Sequence, residues 1–144
     1  IELIKAILVA GLYPNVAQAK VRNRDNVKRA WRYELANRES VFIHPSSVNF
    51  SLKDFPTTWF VFTEKVKTSK VFIHGTTMIS PFPLLLFGKN VDVRINGNDS
   101  KPTVYVDKWM SFQLPGKMAV LMNKLRKKMN KLLSDKIRDQ SLDI

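Results

Sequence analysis

The chain has no cysteine, which excludes both a disulfide framework and a thiolate metal site. It also lacks long apolar runs. Residues 7–12 and the proline-broken stretch 81–87 fall far short of the roughly 20 residues a membrane span requires. Acids are scarce: 12 Asp and Glu stand against 24 Lys and Arg, a net charge of +12. Such a surface suits a polyanionic partner, whether nucleic acid, an acidic protein tail or an anionic membrane. A charge that only keeps the protein dispersed accounts for it equally. No GxxxxGK[ST] loop occurs, so this chain alone has no cradle for nucleotide phosphates. His44 and His74 lack the spacing of a metal motif. Ser46 and Ser47 lack a nucleophile elbow or an adjacent base.

What is present reads as one domain. The 144 residues suffice for a core, and 44% of them are hydrophobic. No basic-then-apolar signal segment with a small-residue cleavage site stands at Ile1. Leu3, Ile4, Ile7 and Leu8 recur at helical spacing until Gly11 and Pro14, predicting a helix over 2–11. A start in the middle of an apolar helical pattern predicts a fragment of a longer polypeptide, with this helix packed on something before it. Residues 15–26 are polar and basic, a connecting loop or the start of a strand. Period-two patterns then predict strands over 27–35, 40–44, 58–66 and 70–74, with a turn at 36–39 and a bulge or turn at Gly75. Residues 81–87 read as a short helical or irregular apolar plug. Strands follow over 91–95, 104–107 and 109–114, the first pair joined by the turn signal Asn96-Gly97-Asn98-Asp99.

Pro115 opens a long helix. Met118, Leu121, Met122, Leu125, Met129, Leu132 and Ile137 form its apolar stripe. Eight basic residues against the single acid Asp135 give it +7 over 116–138. The expected role is a stripe that caps the sheet while lysines keep the other face wet. Residues 139–144 are expected to fray. The element order predicts a mostly β fold with flanking helices, a five-stranded antiparallel barrel between an N-terminal helix stub and a long C-terminal amphipathic helix.

Several stretches together resemble a known family: IKAILVAGLYPNVA (4–17), HPSSVNF (44–50), FTEKVKTSKVFIHGTTMISPFPLLLFG (62–88) and VDKWMSFQ (106–113). In that order they resemble the C-terminal OB-fold domain of DEAH-box RNA helicases. The likeness is greatest to the subgroup that acts on structured RNA, G-quadruplexes or ribosome-bound message. The resemblance implies that 1–14 end a preceding helical-bundle domain and that 15–138 are the OB-fold. It implies single-stranded or structured RNA as partner, together with the RecA-like core of the same polypeptide and ribosome or activator proteins, and no membrane. ATP and magnesium would be bound in that core and no cofactor in this chain, which has neither an Asp-Glu-Ala-His box nor an arginine finger. The compartment implied is the cytoplasm, with the nucleus as a second.

The site expected from the residues is Lys65, Lys67, Thr68, Ser69 and Lys70. Alternation puts Lys65 and Lys67 on one face, and Thr68-Ser69 offers hydroxyls and amides at a strand end. That is a phosphate-positioning set on an OB-type strand face. A solvated basic hairpin is the bland alternative. In HPSSVN the serines are expected to hold a turn through local bonds, with RNA contact by His44 or Ser46 the lesser reading. Trp59, Phe60, Phe62, Phe72, Trp109 and Phe112 are expected mostly in the core, with at most one or two of them exposed. Two other functions stay in view: a protein-interaction barrel for an acidic partner, and a calmodulin-type target in the last helix.

Overall fold

A computed structural model of the chain describes residues 1–22, 30–94 and 101–141. Among them are ten strands and three helices, in two compact units, Ile1–Pro83 and Leu84–Ile144. No helix among the described residues is long and apolar enough to cross a membrane. The expected mostly β class with a helix at each end holds. The expected turn at 96–99, residues 27–29 of one expected strand and the last three residues lie outside the described residues.

The first unit opens with α1 (Glu2–Leu12), which buries Val9 and leaves Leu3, Ile4 and Ile7 exposed. Seven strands follow: β1 (Val16–Arg22), β2 (Ala30–Glu34), β3 (Ser40–Ile43), β4 (Trp59–Val61), β5 (Glu64–Lys67), β6 (Val71–His74) and β7 (Thr77–Ile79). Their order in the sheet is β5-β6-β3-β2-β1-β4-β7. The sheet is therefore open and seven-stranded, not a five-stranded closed barrel. It is not wholly antiparallel either, because β3 pairs with β6 in parallel, Phe42 opposite Phe72 and Ile43 opposite Ile73. The reason lies in connectivity. β4 and β5 both run opposite to β3, with no reversal between them, so the hairpin turn returns β6 in the direction of β3.

The core of this unit gathers Ala17, Ala19, Tyr33, Leu35, Val41, Ile43, Phe60, Phe62 and Ile73. Phe55 plugs its rim, with ring centroids 4.7 Å from Trp31, 5.2 Å from Phe60 and 6.4 Å from Tyr33. Trp31 Nε1 donates to the Lys53 carbonyl at 2.9 Å, tying down the loop that carries Phe55. Burial pushes the Tyr33 phenol up to about 12, so it stays neutral. The single strand expected over 58–66 is two strands. Trp59, Phe60, Val61 and Phe62 are all buried, so the run fills the interior on both faces instead of alternating. Thr63 then redirects the chain, its N–H and hydroxyl both donating to the His74 carbonyl at 3.0 and 3.1 Å. Gly75 follows at φ +60, and a Cβ there would collide with Thr63 Oγ1.

α2 (Pro81–Phe87) is the expected apolar plug, formed as a helix. In the second unit β8 (Val91–Arg94), β9 (Thr103–Val106) and β10 (Met110–Gln113) make an antiparallel meander. α3 (Gly116–Arg138) follows directly after Pro115. Val104, Val106, Met110 and Phe112 are buried, and Ala119 and Met122 are the buried residues of α3. The stripe is only partly covered: Met118 and Met129 are half-buried, and Leu121, Leu125, Leu132 and Ile137 are exposed. Geometry explains the departure from a capping helix. Twenty-three residues of α-helix extend about 34 Å, whereas four-residue strands span only about 13 Å.

Arg126 fixes the covered part of α3. Its Nη1 donates to the Leu85 and Leu86 carbonyls at 3.3 and 3.2 Å, and Nη2 donates to the Lys89 carbonyl at 2.7 Å. These are carbonyls at and just beyond the end of α2, which the helix itself cannot satisfy. Asp107, at φ +49, receives the Asn90 N–H at 2.7 Å and the Lys89 N–H at 3.3 Å, closing the same corner. Replacing Arg126 by Ala strands three carbonyls. The expected loss is about 1–3 kcal/mol in urea unfolding, and Lys should restore only part of it, because an ammonium lacks the planar fork.

Candidate nucleic-acid interface

The β5–β6 hairpin forms one edge of the sheet, and every residue from Thr63 to Lys70 is exposed. The register is Glu64 opposite His74, Lys65 opposite Ile73, Val66 opposite Phe72 and Lys67 opposite Val71. Lys65 and Lys67 therefore share the face of Ile73, as alternation predicted. Lys65 Nζ reaches Glu39 Oε2 at 2.8 Å, and Asn37 Nδ2 lies 3.5 Å from the same oxygen. These bonds, led by Lys65, hold the Glu39 carboxyl below its ordinary range, with Lys67 adding to the field. The pair is solvent-exposed and so weakly held. At the tip, the Thr68 N–H donates to the Lys70 carbonyl at 2.8 Å, and its hydroxyl approaches the same oxygen at 3.4 Å. Thr68 thus shapes the turn, and its amide is not open to a ligand. Ser69 and Lys67 are exposed at the tip and edge.

Lys70 leans the other way, its Nζ 4.9 Å from the centre of the Phe42 ring. Such a contact is worth only about 0.5–1 kcal/mol at an exposed site. The five expected residues therefore fall on one hairpin but not on one face. Phe42, 41% exposed, is the aromatic beside this hairpin that sequence reasoning missed, Phe50 and Phe82 being exposed elsewhere; Phe72 is half-buried. The alternation of buried Val41 and Ile43 around Phe42 was the available signal. Trp59, Phe60, Phe62 and Phe112 are in the core as expected, and Trp109 is half-buried.

The HPSSVNF turn closes the opposite end of β3. The Ser46 N–H donates to His44 Nδ1 at 3.2 Å, and Ser46 Oγ lies 2.7 Å from the same nitrogen. A backbone amide has only a proton to give, so Nδ1 accepts and the neutral ring carries its proton on Nε2. Ser47 Oγ accepts the Asn49 N–H at 3.2 Å and bonds Thr76 Oγ1 at 2.9 Å. Asn49, buried, donates through Nδ2 to the Thr76 carbonyl at 2.8 Å and to Thr76 Oγ1 at 3.0 Å. The motif pins the end of β3 to the start of β7.

Comparison with known proteins follows the same outline. Residues 4–91 match the family model described as oligonucleotide/oligosaccharide-binding (OB)-fold, and residues 103–144 match the C-terminal domain in RNA helicases. This chain belongs to the OB-fold family of DEAH/DExH-box RNA helicases. It is 35% identical over 136 residues to the ATP-dependent DNA/RNA helicase DHX36 of Homo sapiens, covering 94% of this chain and 13% of the relative. It is 39% identical over 145 residues to the ATP-dependent RNA helicase dhx29 of Xenopus laevis, covering 99% of this chain and 10% of the relative. To the chloroplastic DExH-box ATP-dependent RNA helicase DExH4 of Arabidopsis thaliana it is 37% identical over 141 residues, 95% of this chain and 10% of the relative. The chain thus spans about a tenth of the length of the helicases it matches.

In this OB-fold domain the two candidate stretches have different characters. The lysine hairpin is exposed and makes few commitments, whereas HPSSVNF spends its polar atoms on internal bonds. Removing Asn49 should accordingly act on folding. Asn49→Ala is expected to cost about 1–3 kcal/mol in denaturant unfolding, while Ser46→Ala, at an exposed position, should cost well under half of that.

Proposed function

We propose that this OB-fold domain grips single-stranded RNA through the tip and faces of the β5–β6 hairpin, as an accessory module of an ATP-dependent RNA helicase. The observation that carries the reading is the hairpin itself: an exposed edge hairpin bearing Lys65, Lys67 and Lys70 around a Thr68-Ser69 turn. Lys67, Ser69 and Lys70 meet phosphate first. Lys65 joins by exchanging Glu39 for a phosphate oxygen, and Thr68 holds the turn in shape. The overall charge of +12 draws the polyanion in. In the complete polypeptide, RecA-like domains bind ATP and magnesium and move the strand, with residues 1–14 ending a preceding helical domain. The OB-fold then adds affinity and a docking surface for ribosome or activator proteins. The cytoplasm, and secondarily the nucleus, is the compartment this role fits.

One observation favours a second reading. Leu121, Leu125 and Leu132 stand exposed on α3 beside Lys124, Lys128 and Lys131, a pattern suited to a partner that is acidic around an apolar groove. That reading predicts binding to such a protein with no preference for nucleic acid.

The test is the Lys65→Ala, Lys67→Ala, Lys70→Ala triple variant, titrated with short single-stranded RNA across a salt series. Loss of three phosphate contacts should flatten the log–log salt slope by about 2.1 and weaken binding at low salt at least tenfold. A folded triple variant with wild-type affinity and slope contradicts the assignment.

A further inference from the structure

The second face of the same hairpin is built of rings. Across β5, β6 and β3, Val66 lies opposite Phe72 and Phe72 opposite Phe42. Phe42 and Val66 are 41% and 38% exposed, and the Phe42 and Phe72 centroids are 6.3 Å apart with planes tilted by 51°. In the next row the His44 ring meets Phe72 edge-on at 5.6 Å and stacks on His74 at 4.2 Å and 26°. Three neighbouring strands make this ledge about 10 Å across. Lys70 stands over Phe42, and Glu64, opposite His74, is the one acid in these two rows.

We propose that this ledge is a nucleobase-stacking site, in which bases of a single strand lie on Phe42 and Phe72 while the adjoining phosphates meet Lys70 and the hairpin tip. The inference rests on the RNA-binding reading above and deepens it, since it assigns recognition of bases to a face apart from Lys65 and Lys67. Lys70 over Phe42 means that the π face of the ring is turned outward, to a cation or to another flat ring. The lysine stem is flexible. When a base takes its place, the ammonium moves off the ring to a phosphate a few ångströms away, so neither the cation nor the ring loses a partner. Stacking asks only for a π face, so this site accepts any base. An apolar protein surface fits less well, because Lys70, Glu64 and the two imidazoles would have to be desolvated around a small patch.

The experiment uses this chain and two labelled probes of equal length, oligouridine and a strand of abasic ribose units, compared by fluorescence anisotropy at one salt concentration. Both carry the same phosphates, so a difference between them reports the bases. Wild type is expected to bind oligouridine about tenfold more tightly per stacked base. Phe42→Ala should remove most of that preference and leave affinity for the abasic strand unchanged; Phe42→Trp should keep it. Phe42 is already exposed, so an unchanged thermal midpoint establishes that both variants are folded. Equal, salt-dependent binding of the two probes by wild type, or a preference that Phe42→Ala leaves intact, overturns the ledge and leaves the lysine hairpin standing. Binding of neither probe overturns both.

Discussion

The parallel ladder between β3 and β6 is the constraint on which the rest of the first unit depends. Successive side chains on a strand point to opposite faces, so one register decides two surfaces at once. With Ile43 opposite Ile73, the inward positions Val41, Ile43 and Ile73 are buried and contribute to the core. The same register turns Phe42, Phe72, His44 and His74 outward in two adjoining rows. A shift of β6 by one residue against β3 would turn Ile73 outward and carry Phe72 and His74 toward the core. The core therefore holds the candidate binding surface in place without contributing a residue to it.

The end of this ladder that follows Ile43 and Ile73 is secured by internal hydrogen bonds. There Asn49, Ser47 and Thr76 form a closed set, and no described buried side-chain nitrogen or oxygen is left without a partner. Thr63 and Gly75 redirect the chain around the His74 carbonyl. Burying polar groups is tolerable only when they are satisfied in this way. The exposed hairpin is the reverse case: its ion pair and its cation–π contact are weak, surface-bound and exchangeable, which suits a site that must trade protein partners for phosphate and base.

Much of this was legible in the residues. The 3.6 period after Pro115 pointed to α3 and the period of two over 40–44 to β3, while 81–87, readable as either a helical or an irregular plug, is the helix α2. The lysine hairpin was visible as a strand, a turn and a strand. Other features were hidden for physical reasons. β7 is three residues long, too short for a period to declare itself. Strand order depends on contacts far apart in sequence, so neither the parallel pairing nor the open seven-stranded sheet could be read from local pattern. The Lys65–Glu39 pair joins residues 26 apart. The stripe on α3 was read correctly as apolar, but how much of it a short meander can cover is a matter of lengths in space.

The most direct test of the account is an amide-resolved NMR titration of this chain with a short single-stranded RNA. Shift changes confined to residues 37–44 and 64–74, with α3 unmoved, are the predicted result. Changes centred on Leu121, Leu125 and Leu132, or none at saturating RNA and low salt, would contradict it.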